Sequence, residues 1–175
     1  LSNFYGTLKG FDQTQKYGFD FEGETSFIQS TTGASFYNLT FTKLGDKENA
    51  QSTLNQAIID LATLTTFENI LVSNSITNTQ ANKNNYNIGI LTNKMIGGYV
   101  NNVSFQDCAM YVDIEKTINS LEMPSLNVGM LAGQIETNTS AMLQLSDICV
   151  YQSYNNGKYL NNGAISFPFT LTLLI

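Results

Sequence analysis

Two short segments of this chain repeat each other at a fixed separation, and no other feature restricts the fold as much. Asn87-Ile88-Gly89-Ile90-Leu91 and Asn127-Val128-Gly129-Met130-Leu131 share one pattern at an offset of 40. A second pattern, reading large apolar, any residue, Asn or Asp, apolar, any residue, apolar, recurs with first members Phe36, Phe67, Phe105 and Leu145. Its amide or acid positions are Asn38, Asn69, Asp107 and Asp147, separated by 31, 38 and 40 residues. Phe105/Leu145, Asp107/Asp147 and Tyr111/Tyr151 keep the offset of 40. Repeats with periods of roughly 20 to 50 residues are the mark of chains that stack one supersecondary unit on the next.

The second pattern has the period of a strand, because residues two apart point to the same face. Leu39 with Phe41, Ile70 with Val72, Cys108 with Met110 and Ile148 with Val150 therefore form inward pairs. The Asn or Asp just ahead of each pair is a residue type that tolerates the left-handed conformation and bonds nearby backbone, which makes it a turn ladder. One unit cannot bury its own apolar pair. Copies stacked about 4.8 Å apart build a continuous core, so the expected fold is all-β, a parallel β-solenoid forming one domain over residues 1–175. Gly33, Gly89, Gly97, Gly98, Gly129, Gly133 and Gly163 punctuate the gaps, with only two prolines, Pro124 and Pro168. A single stretch has helical spacing: Leu54, Ala57, Ile58 and Leu61 within 50–63 predict one short helix in a loop.

Composition removes much chemistry. Among 175 residues there is no His and no Trp, and the eight basic residues are all Lys against 14 acids, for a net charge of −6. Ser-His and Cys-His nucleophiles, His metal ligands and bidentate Arg clamps are excluded, and no cofactor is implied. Isolated lysines on an acidic chain give no basic stripe for a phosphate backbone, so nucleic acid is not an expected partner. No apolar run approaches the roughly 18 residues of a membrane-spanning helix. The chain starts at Leu1 without a charged and apolar leader, which suggests a processed product or an excerpt of something longer.

Asn127 to Gly133, Asn-Val-Gly-Met-Leu-Ala-Gly, resembles the GLUG-type repeat, a glycine-bracketed apolar run followed by a strand with an Asn turn. The copy at Asn87 departs from it, with Leu91-Thr92-Asn93 where the second glycine would stand. Phe4-Tyr5-Gly6-Thr7-Leu8-Lys9-Gly10 looks like the opening that precedes such repeats, and Ser26 to Phe41 looks like its partner. The matches run from Phe4 to about Ala164. Chains with this pattern include bacterial adhesins, non-catalytic regions of immunoglobulin-cleaving metallopeptidases and large surface proteins of protists. The resemblance implies a right-handed parallel β-helix of the pectin-lyase type on a secreted or surface-exposed chain, and it brings no active site.

Individual residues then divide by chemistry. Asp107 and Asp147 are the one acid pair that the repeat offset would stack, but their equivalence to Asn38 and Asn69 favours a turn role over catalysis. Cys108 falls on an inward position and Cys149 on an outward one, which opposes a disulfide. Asp20, Glu22 and Glu24 alternate with Phe19 and Phe21 as a solvated strand face more readily than as a calcium site. Three sequons, at Asn38, Asn102 and Asn138, are candidate glycosylation positions, with Asn138 in the most loop-like context. Tyr151, Tyr154 and Tyr159 form the best candidate ligand surface, one that would suit carbohydrate. Phe167, Phe169, Leu171 and Leu173 alternate with polar residues without a polar cap, which suggests pairing with a neighbouring subunit. The expected function is a non-enzymatic extracellular or cell-surface building block that associates with itself or with neighbouring domains. A carbohydrate-binding module, or a fragment of a polysaccharide-degrading β-helix enzyme, is the alternative.

Overall fold

Parallel pairing between strands far apart in sequence organises the computed structural model, which describes residues 1–12, 14, 16–22, 27–45, 57–81, 85–115, 125–151 and 154–160. Fourteen strands follow in order: β1 Asn3–Phe4, β2 Thr7–Lys9, β3 Tyr17–Asp20, β4 Ile28–Thr32, β5 Ser35–Thr42, β6 Ile59–Ser73, β7 Ile76–Ala81, β8 Asn85–Gly89, β9 Thr92–Gln106, β10 Ala109–Glu115, β11 Ser125–Gly129, β12 Ala132–Glu136, β13 Leu143–Tyr151 and β14 Tyr154–Leu160. They form sheets of nine, three and two strands. Every pairing between these strands is parallel. The described chain is all-β.

The register assembles columns of equivalent residues. In the large sheet Leu8, Phe36, Phe67, Val100 and Leu145 fall in one column, and Phe19, Phe41, Val72, Phe105 and Val150 in another. Between them run Tyr17, Leu39, Ile70, Val103 and Ile148. The inner members of all three columns are fully buried, as alternation along a strand requires of the face turned to the core. Phe36 and Phe67 stack with ring centroids 5.3 Å apart, and Phe19 stacks on Phe41 at 5.5 Å. Such offset aromatic pairs add to the area that they bury.

Bends between strands use left-handed backbone in columns as well. Gly33, Leu64 and Gly97 are aligned by the register and all have positive φ, at 62°, 48° and 59°. Gly98, with φ of 117°, follows at the same bend, and a Cβ there would lie 2.4 Å from the carbonyl oxygen of Thr65. Only glycine fits so close an approach of two backbones. A second bend column, Lys43, Asn74 and Asp107, has φ between 48° and 56°.

Two expectations change here. The helical spacing around Ala57, Ile58 and Leu61 produces no helix among the described residues: Ala57 and Ile58 are buried at a bend, and Leu61 lies in β6. The amides of Ile58 and Ile59 donate to Ile90 and Leu91 of the neighbouring copy, so lateral pairing overrides a weak local propensity. Residues 46–56, with Leu54, lie outside the described residues, as do Pro124, Gly163 and the alternation from Phe167 to Leu173.

The other correction concerns register. Asn127 does pair with Asn87 and Gly129 with Gly89, at the offset of 40. Phe105, Asp107 and Tyr111 do not stand opposite Leu145, Asp147 and Tyr151. Val100 stands opposite Leu145, Gln106 opposite Tyr151, and Tyr111 opposite Asn156. The third copy of the strand pattern is Val100-Asn101-Asn102-Val103-Ser104-Phe105.

Candidate interaction surface

The asparagine column is the most ordered polar feature of the large sheet. Asn38, Asn69 and Asn102 each interrupt a strand with φ of 55°, 56° and 52°, and Asp147 repeats the conformation at 52°. Asn102 Nδ2 donates to Asn69 Oδ1 at 3.1 Å, and Asn69 Nδ2 donates to Asn38 Oδ1 at 2.8 Å. The side chains thus form a ladder that satisfies amides in a crowded bend, where an unbonded polar group would be costly. Asp147 belongs to this column because its neighbours Ser146 and Ile148 pair with Asn101 and Val103. Asp107 does not. It belongs to the second bend column, five residues beyond Asn102 and just past the end of β9, about 16 Å at the usual strand rise. The two acids are therefore not brought into one cleft.

A second ladder links the smaller strands to the large sheet. Asn127 Nδ2 donates to Asn87 Oδ1 at 2.9 Å, and Asn87 Nδ2 donates to Gln134 Oε1 at 2.7 Å. Asn93, nearly buried, accepts from the Gly89 amide at 3.1 Å and donates to Asp60 at 2.9 Å.

The outermost strands behave differently from the interior. At one side β13 pairs only with β9 among the described strands, leaving its other edge unpaired. Leu145 and Val150, whose inner column mates are fully buried, are 38% and 39% exposed, and Met142 is more exposed still. At the opposite side lie β1, β2 and β3. There Phe4 packs on Phe36 with centroids 5.6 Å apart, while Phe19 and Phe21 both pack against Phe27 and Phe41. Tyr5, Phe11 and Tyr17 on this side are exposed. Sequence reasoning missed this aromatic group; the signal was the density of rings between Phe4 and Phe27 ahead of the regular copies.

Among charged groups, Lys43 Nζ and Asp20 Oδ2 are 2.5 Å apart. The hydrogen bond from Lys43 holds the Asp20 carboxyl below its ordinary range, helped by the Glu22 amide, and the same bond raises the Lys43 ammonium. Lys94 and Glu136 pair at 2.7 Å. Glu24 lies outside the described residues, and no group of three or more acid or thiol side chains able to hold a metal is found among those described. No disulfide joins Cys108, which is buried, to Cys149, which is exposed.

The three tyrosines are divided: Tyr151, 59% exposed, ends β13, whereas Tyr154 and Tyr159 lie on β14 in a different sheet. The sequons also differ. Asn38 and Asn102 are ladder members, and the Asn102 Nδ2 that would carry a glycan is engaged by Asn69. Asn138 sits in an exposed turn closed by mutual backbone bonds with Ala141, and its Oδ1, not its Nδ2, accepts from the amides of Ser140 and Ala141. Compared with protein-family models, with curated proteins and with solved structures, the chain matches none.

Proposed function

We propose that this chain is a right-handed parallel β-helix acting as a non-enzymatic structural or adhesion block at an extracellular or cell-surface location, associating with like modules through the edges of its stack. The observation that carries the reading is the edge of β13 left unpaired among the described strands, which leaves Leu145 and Val150 part-exposed at the end of columns whose inner members are fully buried. Support for a helix-like winding comes from uniformly parallel pairing, with copies 31, 33 and 45 residues apart at the asparagine column. Parallel neighbours in one sheet require crossovers, and these are right-handed in about 98% of cases. An open strand edge beside apolar side chains is a template for another strand. The resemblance to GLUG-type repeats points to the same class and to a surface location. Asn138 is the preferred glycan acceptor in that setting, because its turn leaves Nδ2 outside the hydrogen bonds that close it.

Carbohydrate binding ranks second, since the tyrosines that would carry it are split between two sheets. A polysaccharide-degrading role ranks below that, since Asp107 and Asp147 occupy different columns. Light scattering over a range of concentrations, with negative-stain imaging of the same samples, tests the main reading. Rods that lengthen with concentration are expected, and Leu145→Lys with Val150→Lys should abolish them by placing charge on the open edge. A monomer at all concentrations, or rods indifferent to the lysines, overturns it.

A further inference from the structure

The asparagine column carries a charge at each end, and the two charges have opposite sign. Asp147 stands at the β13 end. At the other end Lys9 pairs with Tyr37 and Tyr17 with Leu39, so the chain leaves the register after Lys9 and regains it at Tyr17, an excursion placed opposite Asn38. Gly10 closes this excursion: its amide donates to Tyr37 O at 2.8 Å, and a Cβ on it would lie 2.0 Å from Asn38 O and 2.9 Å from Tyr17 N. Lys16, directly before Tyr17, is therefore set at the head of the column. It is half-buried, and burial pushes its ammonium below the ordinary lysine range.

The amides between these charges all point one way. Donation runs from Asn102 to Asn69 to Asn38, so the column presents its acceptor end toward Asp147 and its donor end toward Lys16. Within one chain this arrangement is mismatched, because a carboxylate has no proton to give the Asn102 oxygen and an ammonium only donates. That mismatch stays inside each chain, but when the Asp147 end of one column faces the Lys16 end of another each charge gains an opposite partner and the aligned amide dipoles continue head to tail across the contact. The apolar columns are suited to the same contact. Leu8 and Leu145, Tyr17 and Ile148, and Phe19 and Val150 are the first and last members of the three columns, so each apolar first member would meet an apolar last member.

Resting on the end-to-end reading above, we infer that the partner at the β13 edge is a second copy of this chain, docked head to tail so that its β2 and β3 continue the parallel sheet and its Lys16 faces Asp147. The contact is heterologous. Repeated without closure it builds a fibre in place of a symmetric dimer.

Charge exchange on the full chain tests this, read by light scattering at matched concentrations and ionic strength. Lys16→Glu and Asp147→Lys should each weaken assembly by about tenfold or more, because each places like charges across the contact. The double variant Lys16→Glu with Asp147→Lys restores one opposite pair per contact, and its assembly should return to within about threefold of the parent. Asp147 is exposed and Lys16 half-buried, and circular dichroism with a melting curve on each variant separates a folding loss from an assembly loss. A double variant that assembles no better than either single one overturns the head-to-tail pairing. Assembly that is abolished by Leu145→Lys with Val150→Lys yet indifferent to both charge exchanges also overturns it, while leaving the edge reading in place. A parent chain that stays monomeric, with β13 protected from hydrogen exchange, shows that another segment of the chain covers the edge and removes both.

Discussion

Phe67 and Leu145 occupy the same column of the large sheet, two strands apart in register, yet one is completely buried and the other 38% exposed. The opposite edge differs again: β1 to β3 are short, but the rings of Phe4, Phe19 and Phe21 lie against Phe36 and Phe41, and Phe27 packs on Phe19 and Phe21. Burial here is conferred by the next strand or by an aromatic side chain standing in for it, not by the residue's own hydrophobicity. An interior strand has two such neighbours, and β13 has one among the described strands.

Truncation at the two positions should separate them most clearly. Phe67→Ala leaves a cavity between stacked neighbours and is expected to cost about 3 to 5 kcal/mol of unfolding free energy. Val150→Ala at the open edge should stay within about 0.5 kcal/mol, the usual range for surface substitutions. Denaturant titration of both variants measures the difference, and comparable losses would mean that β13 is covered as fully as β6.

A smaller effect sharpens the comparison at the bends. Leu64 has φ of 48° in a column whose other described members are Gly33 and Gly97. Leu64→Gly relieves a left-handed conformation that costs a branched side chain about 1 to 2 kcal/mol, offset by roughly 0.5 to 1 kcal/mol of glycine flexibility in the unfolded chain. A modest rise in Tm is expected. A fall would show that the part-exposed Leu64 side chain is held by contacts that outweigh the strain.

The smallest effect lies near the aromatic edge, at the Asp20–Lys43 pair. Asp20 is held below its ordinary range, so its contribution is complete above the unfolded carboxylate pKa and is lost as pH falls through the lower folded value. Lys43 is raised, so its contribution is complete below the ordinary lysine pKa and is lost as pH rises through the higher folded value. Lys43→Met should let the Asp20 pKa climb back toward the model-peptide range in an NMR titration. An unchanged Asp20 would assign its depression to the Glu22 amide alone.

How much of this was legible in the sequence depends on how the bends are made. Asn38 with Asn69, and Asn87 with Asn127, could be read directly, because each pair keeps both its own residue type and the apolar pattern around it. Asn102 was hidden, since Val100 replaces the leading aromatic and Phe105-Gln106-Asp107 offers a closer literal match. The physical source of the confusion is that Asn38 and Asp107 answer the same local demand, a left-handed residue with a short polar side chain, at two different corners of the chain. Ala57 and Ile58 misled for a related reason. Two consecutive buried residues at a corner mimic the i+3, i+4 spacing of a helix, and only the bonds from the Ile58 and Ile59 amides to Ile90 and Leu91 distinguish the two cases. The polarity of the amide ladder and the placement of Lys16 lay beyond sequence reading, because both depend on which atoms face each other across strands.

The turn at Asn138 has a consequence for how such a chain changes over time. Glu136 pairs with Ile96 and Leu143 with Gly98, so the six residues 137–142 stand where β9 has Gly97 alone. Lateral pairing is recovered on either side of a sixfold difference in local chain length. The corner between β12 and β13 is thus a place where sequence can be gained, lost or exchanged for a foreign peptide without a shift in register, and a surface module can diversify what it displays there while the scaffold beneath stays the same.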